Sequence, residues 1–285
     1  MAKKRSIGDR VFRALAFILM SIFALSYLFI LFWMVFGSFR LTSSFAERPF
    51  DFMDFNVDSL AKSYSTAFSY KAYGTTTMPV MILNSVIFVI GNLAVSLTIP
   101  CITGYVLAKY DFKIKGILVN LTVITMVVPT VGSMSVTYRF MDSIGLLNTF
   151  PGVWIMAAGG LGFASLMYKN YFGAIPWSYA ESAFLDGAGN FTVFLRIMLP
   201  QAKPLLISLG IMGFISGWND YMTPYMYLND YPTVAFGLTA IQEKYKADMP
   251  YVFAAMTFAT GVVLVVFCFF SDTIMNNMSA GGLKD

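Results

Sequence analysis

The 285-residue chain carries 34 charged side chains, 19 basic and 15 acidic, only 12% of its length, against a hydrophobic fraction of 58%. A soluble domain carries about 25% charged residues, so the composition excludes a soluble enzyme and a disordered chain. A net charge of +4 is too small and dispersed for a nucleic-acid binder.

There is no histidine, which removes the commonest general base and metal ligand. Cys101 and Cys268 each lie in an apolar run, outside any metal-ligand spacing, so no metal site is expected.

A bilayer-spanning helix needs about 20 mostly apolar residues. Stretches poor in Asp, Glu, Lys and Arg predict spans at 14–37, 80–106, 117–138, 152–170, 204–224 and 251–271. The expected fold is all-α, a polytopic membrane helix bundle with six transmembrane helices. Residues 1–79 form an N-terminal helix with an extracellular loop, and 80–285 form the core. The first apolar run exceeds the roughly 7–15 residues of a signal core. No small-x-small cleavage pattern follows it closely, so it reads as an uncleaved helix.

Six spans put both termini on one side of the membrane. That side collects 12 Lys and Arg residues, beginning with Lys3, Lys4 and Arg5, and the other collects 7. By the positive-inside rule both termini are cytoplasmic.

The spans contain breakers: Pro100, Pro129, Gly91, Gly104, Gly132, Gly210, Gly213 and Gly217. They mark broken helices lining a cavity or ordinary small-residue packing. Asn84, Asn92, Asn120, Asn219 and Asp220 are polar groups within spans, which usually face the bundle interior. Each suits either a translocation path or an interhelical hydrogen bond, and Asp220 also suits a plain interfacial carboxylate. The loops at 40–78 and 223–250 are rich in Tyr and Phe, as in an interfacial aromatic belt.

The most informative segment is the long loop 171–204 between the fourth and fifth predicted spans. Disordered linkers are poor in aromatics, and this one is not. Residues 177–185 read as a short helix, 186–189 as a glycine turn, and 190–198 as a second helix ended by Pro200. Phe184, Leu185, Phe191 and Phe194 surround the turn. The element reads either as a docking surface for a protein partner or as a loop folded back on its own bundle.

The run Glu181-Ser182-Ala183, then Gly187, then Ile197, Leu199 and Pro200 resembles the "EAA" loop of bacterial ABC-importer permeases. That loop reads E-A-A, a glycine after three residues, nine more residues, then I-x-L-P. Serine replaces the central alanine here. Further stretches resemble binding-protein-dependent sugar permeases, specifically the maltose-type second membrane subunit. These are Asn84-Ser85, Gly104–Lys109, Gly145–Thr149, Trp218-Asn219-Asp220, Gly237-Leu238 and Gly281–Lys284. The resemblance covers about residues 80–285. Departures are Ala180 in place of a second acidic residue, a missing second proline after Pro129, Pro100, and the terminal Asp285.

The resemblance implies a type I ABC importer permease fold. It implies a second permease subunit, an ABC ATPase dimer and an extracellular solute-binding protein as partners, beside membrane lipid and no nucleic acid. No Walker loop occurs in the chain, so it is not an ATPase, and ATP and Mg²⁺ would be bound by the partner. Glu181, Ser182, Ala183 and Gly187 would sit in a cleft on the ATPase. Asp186, Ala188 and Gly189 would shape the turn, with Leu185, Phe194 and Pro200 completing the coupling segment. Glu181 either pairs with a basic residue of the ATPase or is a solvated loop carboxylate.

The implied cargo is a sugar or oligosaccharide. The defined sugar site of the maltose type lies mainly in the other subunit. The resemblance also lets the aromatic outer loops receive the binding protein, and the tail 272–285 either reaches the ATPase or frays. Alternatives are a permease for a peptide, amino acid or polyamine, or an ion-coupled carrier. The last predicts mid-span charges, which are nearly absent.

Overall fold

A computed structural model describes residues 7–52, 55–74, 76–127 and 132–280. Among the described residues the regular structure is helical, apart from an isolated bridge between Ala72 and Thr76. Pro129, the basic triplet Lys3-Lys4-Arg5 and the tail from Gly281 lie outside the described residues.

In chain order the helices are α1 (Ile7–Gly37), α2 (Thr42–Glu47), α3 (Val57–Ser69), α4 (Met78–Lys109), α5 (Lys115–Val127) and α6 (Ser133–Ser143). There follow α7 (Phe150–Met156), α8 (Phe163–Ala174), α9 (Ser178–Leu185) and α10 (Asn190–Val193). A π-helical turn (Phe194–Met198) then leads into α11 (Leu199–Gln201) and α12 (Lys203–Asn219). The last three are α13 (Met222–Tyr227), α14 (Val234–Lys244) and α15 (Met249–Ala280).

Among the described residues three helices are long and apolar enough to cross a bilayer: Val11–Gly37, Met78–Lys109 and Met249–Ser271. A fourth span results if 190–201 and α12, which meet at a bend of 72°, are taken together. The other expected spans are not single long helices. The stretch 117–138 is helical to Val127 and again from Ser133, where Gly132 at φ +84° opens α6. The stretch 152–170 breaks between α7 and α8, at a double glycine where Gly159 takes φ +37°. Ser165 Oγ donates to the Gly160 carbonyl across this break at 2.7 Å, so a side chain satisfies backbone that the helix leaves open. The fifth expected span, α12, stops at Asn219 rather than 224. There the Asp220 carboxylate accepts from the Thr223 amide at 3.0 Å and starts α13.

The chain divides into two compact units. One holds the chain up to Lys71 together with Leu238–Thr260. In it α1 turns an apolar surface outward, with Phe12, Phe17, Leu19 and Met20 all exposed. This is the surface a lipid-facing helix presents. Its end is tied by Trp33, which packs on Phe45, Phe50 and Phe253 and donates from Nε1 to the Pro49 carbonyl at 2.8 Å.

The other unit holds Ala72–Gly237 and the chain from Gly261. Its centre is α4, which packs against α7, α8 and α12. Small residues set these crossings, because apolar side chains gain little by leaving lipid and close contact must supply the attraction. A Cβ on Gly104 would lie 2.8 Å from the Lys169 amide nitrogen of α8, and one on Gly91 would run into the Trp154 ring of α7. Pro100 is buried inside α4, and the helix continues through it.

Two polar knots close this unit at the other end of α4. Asn84 Nδ2 donates to the Pro232 carbonyl at 3.0 Å, and Ser85 Oγ accepts from the Val234 amide at 2.7 Å. Asn148, at φ +59°, accepts from the Asp230 amide at 3.0 Å and donates its own amide to Tyr227 at 2.9 Å. These bonds give Asn84-Ser85 and Gly145–Thr149 structural employment.

Candidate coupling site

The loop 171–204 is a folded layer with one face in and one face out. Pro176 breaks the chain after α8, and α9 begins two residues later. On α9, Ala180 and Ala183 stand three residues apart and are both buried, the latter only 8% exposed. They pack into a cluster with Cys101 and Tyr105 of α4 and Tyr168 and Phe172 of α8. Glu181, Ser182 and Leu185 fall on the opposite face and are exposed, Leu185 at 90%.

The turn after α9 is closed by its own backbone. Gly187 takes φ +84°, a region that costs any residue with a Cβ. Its amide donates to the Phe184 carbonyl at 3.0 Å, and the Ala188 amide donates to Ala183 at 2.9 Å. This pair of bonds is the Schellman closure, which satisfies the last carbonyls of a helix and reverses the chain. Asp186, Gly187 and Gly189 are exposed at the tip, and Ala188 is half-buried. A Cβ on Gly187 or Gly189 would meet nothing within 4 Å.

Beyond the turn, α10 and the π-helical turn return the chain to the bundle. Phe191 is exposed, whereas Val193 and Met198 are buried. Phe194 packs on the Tyr105 ring at 4.9 Å, so it supports the layer from beneath. Pro200 is exposed, at the start of α11.

Groups outside the loop pin it down. Lys109 Nζ donates to the Ile175 carbonyl and lies 5.8 Å from the centre of the Trp177 ring. Tyr110 packs edge-on against Trp177 and donates to Asn190 Oδ1 at 3.2 Å. Tyr171 donates to the Gln201 carbonyl at 2.9 Å. None of Tyr105, Lys109, Tyr110 and Trp177 stands among the coupling residues expected from the sequence. The signal for them was the clustering of aromatics and one lysine where the apolar run of α4 ends.

The loop residues thus divide. Glu181, Ser182, Leu185, Asp186, Gly187, Gly189 and Pro200 offer accessible surface, while Ala183 and Phe194 face the chain's own core. The inner face is folded back on the chain's own bundle, and the outer face is accessible surface.

Three of the polar residues in the spans are engaged in hydrogen bonds within the chain. Asn84 is spent on Pro232. Asn219 donates to the Ile215 carbonyl of its own helix at 2.8 Å, and Asp220 caps α13. Asn120 is exposed on α5, and Asn92 has a buried Oδ1 with no hydrogen-bond partner. Among the described residues no group of three or more His, Cys, Asp and Glu is arranged to hold a metal ion.

The family model described as "Binding-protein-dependent transport system inner membrane component" matches residues 96–281. The chain belongs to this family. It is a multi-pass inner-membrane permease subunit, non-catalytic, with ATP hydrolysis in a separate chain.

Among curated relatives, the diacetylchitobiose uptake system permease protein NgcG of Streptomyces coelicolor is 26% identical, over 100% of this chain and 93% of that protein. The arabinooligosaccharides transport system permease protein AraQ of Bacillus subtilis is 25% identical, over 96% of each. A probable ABC transporter permease of Pyrococcus horikoshii is 32% identical over 68% of this chain and 72% of its own length. The permease fold is shared with the crystal structure of a bacterial ABC transporter involved in import of the acidic polysaccharide alginate. The TM-score is 0.77 at 20% identity, covering 95% of this chain and 99% of that one.

Proposed function

We propose that this permease subunit passes an oligosaccharide from an extracellular binding protein across the cytoplasmic membrane, driven by an ATPase dimer docked on residues 181–189. The carrying observation is the two-faced loop, with a Schellman-closed tip exposed and an inner face locked to α4 and α8. The sugar assignment is supported by relatives that transport diacetylchitobiose and arabinooligosaccharides. ATP and Mg²⁺ belong to the partner ATPase. Both termini and the loop lie on the cytoplasmic side, in line with the lysine and arginine bias.

In this reading ATP closes the ATPase dimer, the docked loop moves with it, and the bundle tips from inward-facing to outward-facing. Swinging a two-state equilibrium from 1:99 to 99:1 takes about 5.5 kcal/mol of differential interaction. A segment transmits such work only if it moves as one piece. The bonds from Lys109, Tyr110 and Tyr171 make the loop part of the bundle it must push.

Reconstitution tests this. The chain, its sister permease and the ATPase are placed in lipid, and ATP hydrolysis is measured with and without the sugar-loaded binding protein. Stimulation that requires the loaded binding protein is expected. Sugar uptake driven by an ion gradient with no ATPase present refutes the reading.

A further inference from the structure

The first unit contains a polar cavity of about 460 Å³ between α2, α3 and the start of α15. Its wall includes Arg40, Ser59, Lys62, Ser63, Asp248 and Tyr251. Arg40 is buried and already donates to the carbonyls of Arg48 at 2.7 Å and Ser44 at 3.0 Å, so it braces the wall. Ser59 is also buried, and its Oγ has no hydrogen-bond partner. Neither Lys62 nor Asp248 forms an ion pair with a described residue. The Ser59 hydroxyl is sealed within the wall, so the unpaired charged groups that line the space are Lys62 and Asp248, beside the ring of Tyr251.

That mixture selects a ligand class. A simple anion would meet the Asp248 carboxylate, and a simple cation would meet Lys62 and Arg40. A neutral polyol uses both, giving hydroxyl hydrogens to Asp248 and accepting from Lys62, with its C–H face against Tyr251. We infer that this cavity, which the coupling site and the translocation of the substrate do not account for, is a second saccharide-binding site that holds one or two sugar units. With the amino terminus cytoplasmic, it opens on the outer side of the membrane. There it would hold an end of the oligosaccharide before entry. The ligand class rests on the carbohydrate reading proposed above.

The test uses the assembled transporter in proteoliposomes. A Ser43→Cys probe on the rim, in a Cys268→Ser background, is labelled with a membrane-impermeant maleimide. Labelling is timed with di- to pentasaccharides from chitin, arabinan, starch and alginate, and separately with inorganic phosphate and glutamine. Uptake of the same sugars is measured in parallel. At twice the dissociation constant, a bound sugar slows labelling about threefold, by the factor 1 + [L]/Kd.

The expected result is protection by a transported sugar, lost in Asp248→Asn and in Lys62→Gln at unchanged membrane levels. Lys62 is exposed, so its variant keeps the test readable if Asp248→Asn misfolds. Uptake without protection overturns this site and leaves the carbohydrate reading standing. Protection by phosphate or glutamine in place of sugar also overturns it. If none of the sugars is taken up, the carbohydrate reading falls and the site falls with it.

Discussion

The amide of Ala188 donates to the carbonyl of Ala183 across 2.9 Å, and that bond reverses the chain at the end of α9. Ala183 is buried in the core cluster, and the half-buried Ala188 packs against the same cluster. The bond therefore seats both ends of the turn on the bundle, with Asp186 and Gly187 left exposed between them.

Gly187 makes this reversal possible, since it takes φ +84° with open space around it. Any side chain there costs about 1–2 kcal/mol of backbone strain, too little to unfold the chain. Gly187→Asp is expected to abolish uptake while immunoblots show normal membrane levels, and Gly187→Ala to keep most uptake. Full transport by the aspartate variant would remove the tip from the coupling surface.

Glu181 is exposed and makes no side-chain bond to another described residue. Its replacement should change thermal stability by less than about 0.5 kcal/mol, as for most surface substitutions. Glu181→Ala is expected to weaken co-purification of the ATPase with the permease pair. Retention of the ATPase through the same washes as wild type would mark the carboxylate as merely solvated.

Lys109 holds the entry to the loop by a charge-assisted bond to the Ile175 carbonyl. Losing such a bond costs about 1.5–3 kcal/mol. Lys109→Met should loosen the loop without changing its exposed residues. Limited proteolysis of membranes is expected to cut faster near residues 186–189, and sugar-stimulated ATP hydrolysis to fall in parallel. Unchanged cleavage would mean that the aromatic packing and the Tyr110 and Tyr171 bonds hold the loop without Lys109.

Asn84 discriminates path from scaffold. Its amide is buried and committed to the Pro232 carbonyl at 3.0 Å. Asn84→Ala leaves that carbonyl unsatisfied, at about 1–3 kcal/mol. The expected outcome is earlier thermal inactivation with an unchanged preference between two competing sugars. An altered preference at normal stability would put Asn84 on the path.

Much of the candidate site was legible because its signals are local. The spacing from Glu181 to Pro200 depends on short-range sequence, and so does the glycine at a turn that needs positive φ. The burial of Ala183 was not legible: the motif assigns it to the ATPase cleft, and only packing against α4 and α8 turns it inward. Nor was the anchoring. Lys109 and Ile175 are 66 residues apart, and nothing near either one announces the other.

The sequence by itself determined the membrane class, the all-α fold, the absence of a Walker loop and the position of the two-helix loop at 171–204. Those follow from composition and from spacing within a few turns of chain. Tertiary structure alone decided where helices break, which face of the loop is free, and what α4 carries. A break such as the one after α7 depends on Ser165 reaching the Gly160 carbonyl, and a free face exists only once α4 and α8 have covered the other. Apolar runs report that a segment enters the bilayer. Only packing between helices reports whether it crosses as one piece.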